Sequence, residues 1–261
     1  LQITSDIQEA DEEIDADGAL ITPGFVDSHT HPIFSGNRAN EFEMRVAGKT
    51  YEEISESGGG IISSINGVRN TDENQLFEEC LEKVNFFLGH GTTTIEAKSG
   101  YGLTTEDELK SLRVIKRLNE ASPLDIIPTF MGAHAFPPEY QGNQLKYIDL
   151  ICEEMIPAVA EEKLAEYCDV FCENEYFSVE DSRRILETAQ KHGLTPRLHA
   201  DEFVDSGAAE LAAEIGAVSA DHLMAVSETG IQAMADAGVI ATLLPGTTLF
   251  LGKTGYAPGR K

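Results

Sequence analysis

The octapeptide GFVDSHTH, residues 24–31, determines how the rest of the chain is interpreted. The apolar residues Ile21, Phe25 and Val26 predict a buried strand, which ends in two histidines separated by one residue. Because side chains alternate along a strand, His29 and His31 should point to the same side. Two imidazoles on one rigid element can form half of a metal site. Solvated loop histidines are the alternative, and the ends of the later strands decide between the two.

A regular alternation of helical and strand-like patterns begins near residue 72. Alternating β and α elements imply a parallel sheet with right-handed crossovers. The repeat length and the lack of a dinucleotide fingerprint favour a (β/α)8 TIM-type barrel over a doubly wound sheet. After the first strand, β-branched or apolar runs predict six further strands, at residues 92–97, 125–131, 169–172, 195–199, 217–221 and 239–244.

Capping motifs predict where two helices begin. Thr105, followed three residues later by Glu108, predicts one capping box, and Ser178 with Asp181 predicts another. A helix over residues 145–161 contains Pro157, and the glycine-punctuated residues 32–70 predict a long irregular connection. The glycine run at residues 58–60 lacks the ending of a phosphate-binding loop.

The pattern predicts two parts of very unequal size. Residues 1–20 are acidic and weakly patterned, with a strand–turn–strand piece of a small β element over residues 13–20, and the family resemblance described below implies that they are the remnant of a small β-domain. Residues 21–261 form the barrel. Only seven strands are predicted, because residues 245–261 are glycine-rich and contain no apolar strand. The barrel is therefore expected to be truncated after its seventh strand, as a fragment or with its last strand in sequence not given.

The charge of the chain limits its partners. It has 45 acidic and 19 basic residues among 261, a formal net charge of −26. Nucleic acids and anionic membranes need a positive face, so both are excluded as expected partners. No apolar run has the length of a transmembrane span and no signal pattern begins the chain, which predicts a cytoplasmic location. The four cysteines are irregularly spaced and are expected to be core thiols: Cys80, Cys152, Cys168 and Cys172.

Five of the seven histidines fall at predicted strand ends, where barrels of this kind carry their chemistry: His29, His31, His134, His199 and His222. The other two, His90 and His192, lie at helix C-termini, where a partial positive charge is favoured. One histidine at a strand end is an ordinary polar residue, but five on one face indicate a common function. His29, His31 and His199 supply three nitrogens for one divalent cation, with an open position for activating water.

Other polar residues near these strand ends predict the remaining chemistry. Glu202 lies three residues after His199 and suits a proton shuttle, with an exposed glutamate in a first helical turn as the alternative. His222 could polarise a substrate carbonyl or hydrogen-bond the attacking hydroxide. Arg38 suits the bidentate binding of a substrate carboxylate. Tyr101 sits between two glycines that aim its hydroxyl into the barrel mouth, whereas Lys98 is expected to form an ion pair with Glu96 or Glu106.

Several motifs resemble a known family. The stretches at residues 23–31, 199–202 and 221–222 are similar to the amidohydrolase superfamily. More narrowly, the chain resembles the imidazolonepropionase family from about residue 18 onward, through FSGNR (34–38), GGGI (58–61), KSGYG (98–102) and AHAFPPEY (133–140).

This resemblance implies hydrolysis of the cyclic amide of 4-imidazolone-5-propanoate to N-formimidoyl-L-glutamate, in histidine degradation. It implies one zinc or iron ion bound by His29, His31 and His199, and a homodimeric assembly. Catalysis would be assisted by Glu202 and His222. An acidic small-molecule substrate would be contacted by Arg38, Tyr101, His134 and Glu202.

Two alternatives stay open at this point. The chain could be another mononuclear amidohydrolase, such as a cytosine- or guanine-deaminase-like enzyme, or an inactive metal-binding barrel fragment. The family's fourth metal ligand is an aspartate at the end of the eighth strand, followed by a substrate loop. No residue of this chain matches either feature.

Overall fold

A seven-stranded parallel sheet, with its strands in chain order, organises the molecule. The computed structural model describes residues 11–49, 53, 59–252 and 255–261. Seven parallel strands separated by helices confirm the predicted architecture. The strands are β1 (Phe25–Thr30), β2 (Thr92–Lys98), β3 (Asp125–Ala133), β4 (Tyr167–Cys172), β5 (Thr195–Ala200), β6 (Ser219–His222) and β7 (Ile240–Thr242).

Helices connect successive strands and cover the outside of the sheet. They are α1 (Ala39–Val46), α2 (Ile61–Asn70), α3 (Glu73–Gly89), α4 (Thr105–Ala121), α5 (Gln144–Leu150), α6 (Ile156–Glu162), α7 (Val179–Lys191), α8 (Ala208–Glu214), α9 (Glu228–Ala237) and α10 (Pro245–Phe250). The presence of α1 and α2 shows that the prediction of an irregular connection over residues 32–70 was wrong. In the glycine run that lacks the ending of a phosphate-binding loop, Gly59 and Gly60 are described and precede α2, whereas Gly58 lies outside the described residues.

The sheet curls into a nearly closed barrel. In a flat sheet, strands β1 and β6 would lie about 24 Å apart, at five spacings of about 4.8 Å. Instead, the ring of His29 on β1 hydrogen-bonds the carboxylate of Asp221 on β6 at 2.6 Å. This curvature brings the carboxyl ends of the strands together around one mouth.

The central strands are buried, whereas the two outer strands are exposed. Phe25 and Val26 of β1 are 64% and 68% exposed, and Ile240 of β7 is 66% exposed. The prediction that β1 is a buried strand was therefore wrong. Within the described residues β1 pairs with β2 alone and β7 with β6 alone. After Thr242 the described chain forms α10 and no further strand.

Local capping partly follows the sequence prediction. The capping box of Ser178 and Asp181 is present. The one predicted for α4 was wrong, because Thr104, not Thr105, is the N-cap and accepts a hydrogen bond from the backbone N–H of Asp107. The carboxylate of Glu108 instead accepts backbone N–H groups of Gly100, Gly102 and Leu103, so it organises the loop after β2.

The predicted helix over residues 145–161 is interrupted. A π-helical turn at Ile151–Met155 separates α5 from α6, and Pro157 lies in the first turn of α6. Proline lacks the N–H that a continuous α-helix would use there, and a π turn is one way to absorb that loss.

Three smaller predictions can also be assessed. A turn at residues 17–18 is present, but no strand flanks it within residues 13–20, so the strand–turn–strand prediction was wrong. The four cysteines are buried free thiols, as expected. Among the described residues, no helix is both long and apolar enough to cross a membrane.

Candidate metal centre

Three imidazoles converge at the barrel mouth. The Nε2 atom of His31 lies 3.3 Å from Nε2 of His29 and 3.2 Å from Nε2 of His199. His29 belongs to β1, His31 follows that strand directly, and His199 belongs to β5. The prediction that His29 and His31 share one side of their strand is confirmed, and His199 faces them across the mouth.

Aspartates contact the Nδ1 atoms of two of these rings, those of His29 and His199. Nδ1 of His29 lies 2.6 Å from Oδ2 of Asp221, and Nδ1 of His199 lies 2.9 Å from Oδ1 of Asp169. An ionised carboxylate only accepts hydrogen bonds, so each Nδ1 carries the proton. The Nε2 atoms of His29 and His199 therefore present lone pairs toward the centre.

The electrostatics keep the rings of His31 and His199 neutral. Burial lowers the pKa of His31 and His199 well below the ordinary range, and the neighbouring histidines and Lys98 lower it further. Burial also lowers the pKa of His134 to about 4 and that of His222 to about 3. Neutral imidazole is the form that binds metal ions.

A buried ionic network forms the floor beneath the three rings. Lys98 donates to Oε1 of Glu96 at 2.7 Å and to Oδ2 of Asp169 at 2.7 Å. Arg197 contacts Oδ2 of Asp221 at 3.2 Å. Burial alone would raise the pKa of Asp169 and of Asp221, but Lys98, together with His29 in the case of Asp221, brings both pKa values below the usual range. Two cations and three carboxylates leave one negative charge in excess beneath the site.

An aromatic wall lines the side of the mouth nearest β2 and β3. The ring of His134 stacks on His31, with centroids 4.9 Å apart and an interplanar angle of 25°, and Tyr101 lies 5.1 Å from His134. Nδ1 of His134 is 3.0 Å from the carbonyl oxygen of Gly100. Gly100 has a φ of +108°, and a Cβ there would approach that Nδ1 to 3.0 Å, so the close contact requires glycine. Burial raises the pKa of Tyr101, which therefore keeps its hydroxyl proton.

Glu202 and His222 face each other on the opposite side. Oε1 of Glu202 lies 3.5 Å from Nδ1 of His222. Both residues are buried, so the alternative of an exposed glutamate for Glu202 was wrong; it lies in the loop before α8. His222 and Leu223 have φ values of +78° and +59°, a left-handed conformation that costs about 1–3 kcal/mol per residue. This strained turn directs the ring of His222 back into the mouth.

Arg38 lies at the N-terminus of α1 and is held by Glu41. Its Nε and Nη2 atoms donate to Oε2 of Glu41 at 2.9 and 2.6 Å. The other carboxylate oxygen of Glu41 accepts the backbone N–H of Gly60 at 3.1 Å. The charge of Arg38 is close enough to Tyr101 to oppose the rise in its pKa, so Arg38 belongs to the same mouth.

Some site residues were missed by the sequence analysis. Lys98 does pair with Glu96 as predicted, but its second partner is Asp169, and Glu106 is not a partner. Asp169 and Arg197 were not singled out. A signal was available, since each is a charged residue inside an otherwise apolar strand sequence. His90 and His192 bond carbonyl oxygens of their own helices, as their positions suggested.

The donor set and its spacing fit a metal ion. A tetrahedral ion with nitrogen ligands at about 2.0–2.1 Å holds those nitrogens about 3.3 Å apart. Nε2 of His31 lies at this spacing from Nε2 of His29 and from Nε2 of His199. Nε2 of His222 is buried without a hydrogen-bond partner among the described residues. One ring nitrogen of His222 also lies within 4.8 Å of one ring nitrogen of His29 and one of His199. The cluster can therefore bind a metal ion.

Comparison with solved structures supports the fold. A 5-methylcytosine deaminase from Klebsiella pneumoniae has a TM-score of 0.69 at 17% identity, over 95% of this chain and 60% of that protein. An adenosine deaminase from Xanthomonas campestris, solved with bound zinc, has a TM-score of 0.56 at 16% identity, over 91% of this chain and 52% of that protein. At these identities the similarity establishes the amidohydrolase fold alone.

Comparison with curated sequences gives much closer relatives. The chain is 56% identical to an imidazolonepropionase from Brevibacillus brevis over 95% of its own length and 58% of that protein. It is 55% identical to one from Shouchella clausii, over 91% of its length and 53% of that protein. The chain thus spans less than two thirds of the length of these relatives, and no protein-family model matches it. Over nearly its whole length the chain is therefore similar to one part of these imidazolonepropionases.

Proposed function

We propose that the chain carries the metal centre and proton-transfer residues of a hydrolase acting on 4-imidazolone-5-propanoate. The reaction opens the cyclic amide and yields N-formimidoyl-L-glutamate. The observation that carries this proposal is the convergence of three imidazoles beside the buried pair Glu202 and His222. The imidazolonepropionases, at 50–56% identity, support the choice of substrate.

His29, His31 and His199 would hold one zinc or iron ion through their Nε2 atoms. Such an ion, when bound, would supply the Lewis acidity that makes water a nucleophile near neutral pH. The protein contributes the geometry, since aspartates orient the rings of His29 and His199. Orientation by such carboxylates typically accounts for about 10–100-fold in metal affinity.

Glu202 is the proposed proton carrier. Its carboxylate would accept a proton from the attacking water and deliver it to the ring nitrogen that leaves when the amide bond breaks. The carboxylate opposite Nδ1 of His222 favours a proton on that nitrogen, which leaves Nε2 as a hydrogen-bond acceptor facing the mouth. His222 would therefore orient the attacking water through a hydrogen bond.

The remaining residues suit an acidic imidazole-like substrate. The guanidinium of Arg38 would bind the propionate carboxylate of the substrate. This carboxylate would take the place of Glu41 as the partner of the guanidinium. Tyr101 keeps its proton and can donate a hydrogen bond, while His134 presents a flat face for a planar ring. The homodimer implied by the family resemblance remains a prediction, as does an acidic small molecule as the partner in place of nucleic acid or membrane.

Metal analysis combined with product detection tests the proposal. The chain loaded with zinc or iron should convert imidazolonepropionate to formimidoylglutamate. Glu202→Gln should lower kcat by about 100–10,000-fold, as expected for loss of a general acid–base. Glu180→Gln, an exposed glutamate on α7, serves as the matched control and should have no effect.

Two results would argue against the proposal. Ammonia release from cytosine or guanine, without action on imidazolonepropionate, would favour the deaminase alternative. A chain that binds one metal ion yet leaves every substrate unchanged would support the inactive metal-binding fragment.

A further inference from the structure

We propose that Lys98 is a positioning residue of the metal centre, which acts through Asp169 and Asp221 to orient the rings of His199 and His29. The inference rests on the proposed function in one respect, that these rings bind a metal ion. It does not depend on the substrate or on the reaction.

Lys98 is the last residue of β2 and reaches the rings through buried carboxylates. Its side chain is 0% exposed, and its Nζ atom donates to Glu96 and Asp169 at 2.7 Å each. Burial alone would lower the pKa of Lys98, but Asp169, Glu96 and Asp221 raise it above the ordinary value. A buried, charged amine already donating to two carboxylates is not available as a base or to a substrate. Its effect on the site must pass through the groups that it contacts.

The first connection runs through Asp169 to His199. Oδ2 of Asp169 accepts from Lys98, and Oδ1 accepts from Nδ1 of His199 at 2.9 Å and from its backbone N–H at 3.1 Å. Each carboxylate oxygen thus has its own donors, which fixes the rotation of the carboxylate. The proton of His199 is then held on Nδ1, and Nε2 is left as a lone pair toward the centre.

The second connection runs through Asp221 to His29 and is weaker. Nζ of Lys98 lies 3.8 Å from Oδ2 of Asp221, the same oxygen that lies 2.6 Å from Nδ1 of His29. Arg197 shares this oxygen at 3.2 Å and also donates to the carbonyl oxygen of Ser28 at 2.8 Å. Arg197 also contacts Asp221, the aspartate that bonds the ring of His29. Removal of Lys98 should therefore disturb His199 more than His29.

Imidazole ¹⁵N NMR of the metal-free chain measures the predicted orientation directly. In the wild type, His29 and His199 should each show a single tautomer with the proton on Nδ1. In Lys98→Met, which keeps a similar volume and removes the charge, His199 should show a mixture of both tautomers. Zinc affinity should fall by about 10–100-fold, the usual loss when a ligand's supporting partner is removed.

Lys110→Met is the matched control. Lys110 is a lysine of α4 that pairs with Asp107 at 2.7 Å on the outside of the barrel. The Lys110→Met substitution should leave both the imidazole tautomers and the zinc affinity unchanged. An unchanged His199 tautomer and unchanged zinc affinity in folded Lys98→Met would overturn the proposal.

Asp169→Asn keeps the test decisive if Lys98→Met does not fold. An amide can direct its NH₂ group at His199, so this variant should shift the ring toward the tautomer with the proton on Nε2 and weaken zinc binding. In the double variant, Lys98→Met should add no further change at His199. Retention of the Nδ1 proton in Asp169→Asn would overturn the proposal. These measurements use no substrate, so they stand even if imidazolonepropionate is not hydrolysed.

Discussion

The edge strand β1 and the central strand β5 both contribute imidazoles to the site, but they are held in different ways. His199 belongs to β5, whose residues 196–200 are all buried between β4 and β6. His29 belongs to β1, where residues 25–28 are exposed and β2 is the only pairing partner among the described residues. Half of the metal centre thus rests on the core and half on an edge.

Polar contacts compensate for the missing packing of β1. Arg197 donates to the carbonyl oxygen of Ser28, Asp221 binds the ring of His29, and the hydroxyl of Thr30 donates to the carbonyl oxygen of Glu96 at 2.6 Å. Each of these contacts involves a buried group of a more central strand. The edge half of the site should therefore be sensitive to charge substitutions, and the central half to losses of volume.

Removal of a ligand from the central half should have the largest effect. His199→Ala removes the nitrogen that closes the set with His29 and His31, so bound metal should fall from about one ion per chain to less than about 0.1. Hydrolysis, if this chain supports it, should fall by about 1,000-fold or more. Metal analysis after gel filtration measures the first quantity, with His192→Ala as the control. A full complement of metal in His199→Ala would exclude His199 as a ligand.

Removal of a polar contact should weaken the edge half without abolishing binding. Asp221→Asn keeps the size of the side chain but removes the charge opposite His29, and we expect a loss of about 10–100-fold in zinc affinity. Hydrogen exchange should also become faster at the amides of β1 than at those of β5. Asp205→Asn, an exposed aspartate before α8, is the control. Equal exchange changes on both strands would contradict the distinction between edge and centre.

The sequence was sufficient to predict the parts of the fold that repeat. Alternating helical and strand-like patterns identified the seven strands, and strand ends identified the five clustered histidines, because parallel strands bring their carboxyl ends to one face. The exposure of β1 was not predictable from its apolar composition. Burial depends on which neighbours a strand has, and Phe25 and Val26 have few.

The supporting ionic network was harder to predict, because it depends on pairs that are far apart in sequence. Lys98 and Asp169 are 71 positions apart, and only the curvature of the sheet brings them to 2.7 Å. Helix α1 was missed for a different reason, since its short, charged sequence has a weak apolar pattern. The contact of Arg38 with Glu41 is local, at three positions apart, but the bond of Glu41 to Gly60 depends on the fold.

A pH experiment tests the buried half of the site at His222, the last residue of β6. The folded pKa of His222 is about 3, against an ordinary value of 6.5, so below pH 6.5 the unfolded chain binds a proton that the folded chain does not. Stability therefore falls as the pH falls from 6.5 toward 3. His222→Asn, which tolerates the left-handed backbone, should lose about 1 kcal/mol less than the wild type between pH 6 and pH 5. Urea unfolding of metal-free protein measures this difference, and identical pH slopes would contradict the buried neutral state of His222.

The same substitution at two valines should give the most direct comparison of edge and centre. Val170 on β4 is 0% exposed, and Val26 on β1 is 68% exposed. Val170→Ala should cost about 2 kcal/mol of unfolding free energy, from lost burial and the remaining cavity. Val26→Ala should change it by no more than about 0.5 kcal/mol, as is usual for exposed positions. Urea unfolding of both variants at one pH decides the matter. Equal costs would mean that β1 is packed in solution and that its polar contacts are not its main support.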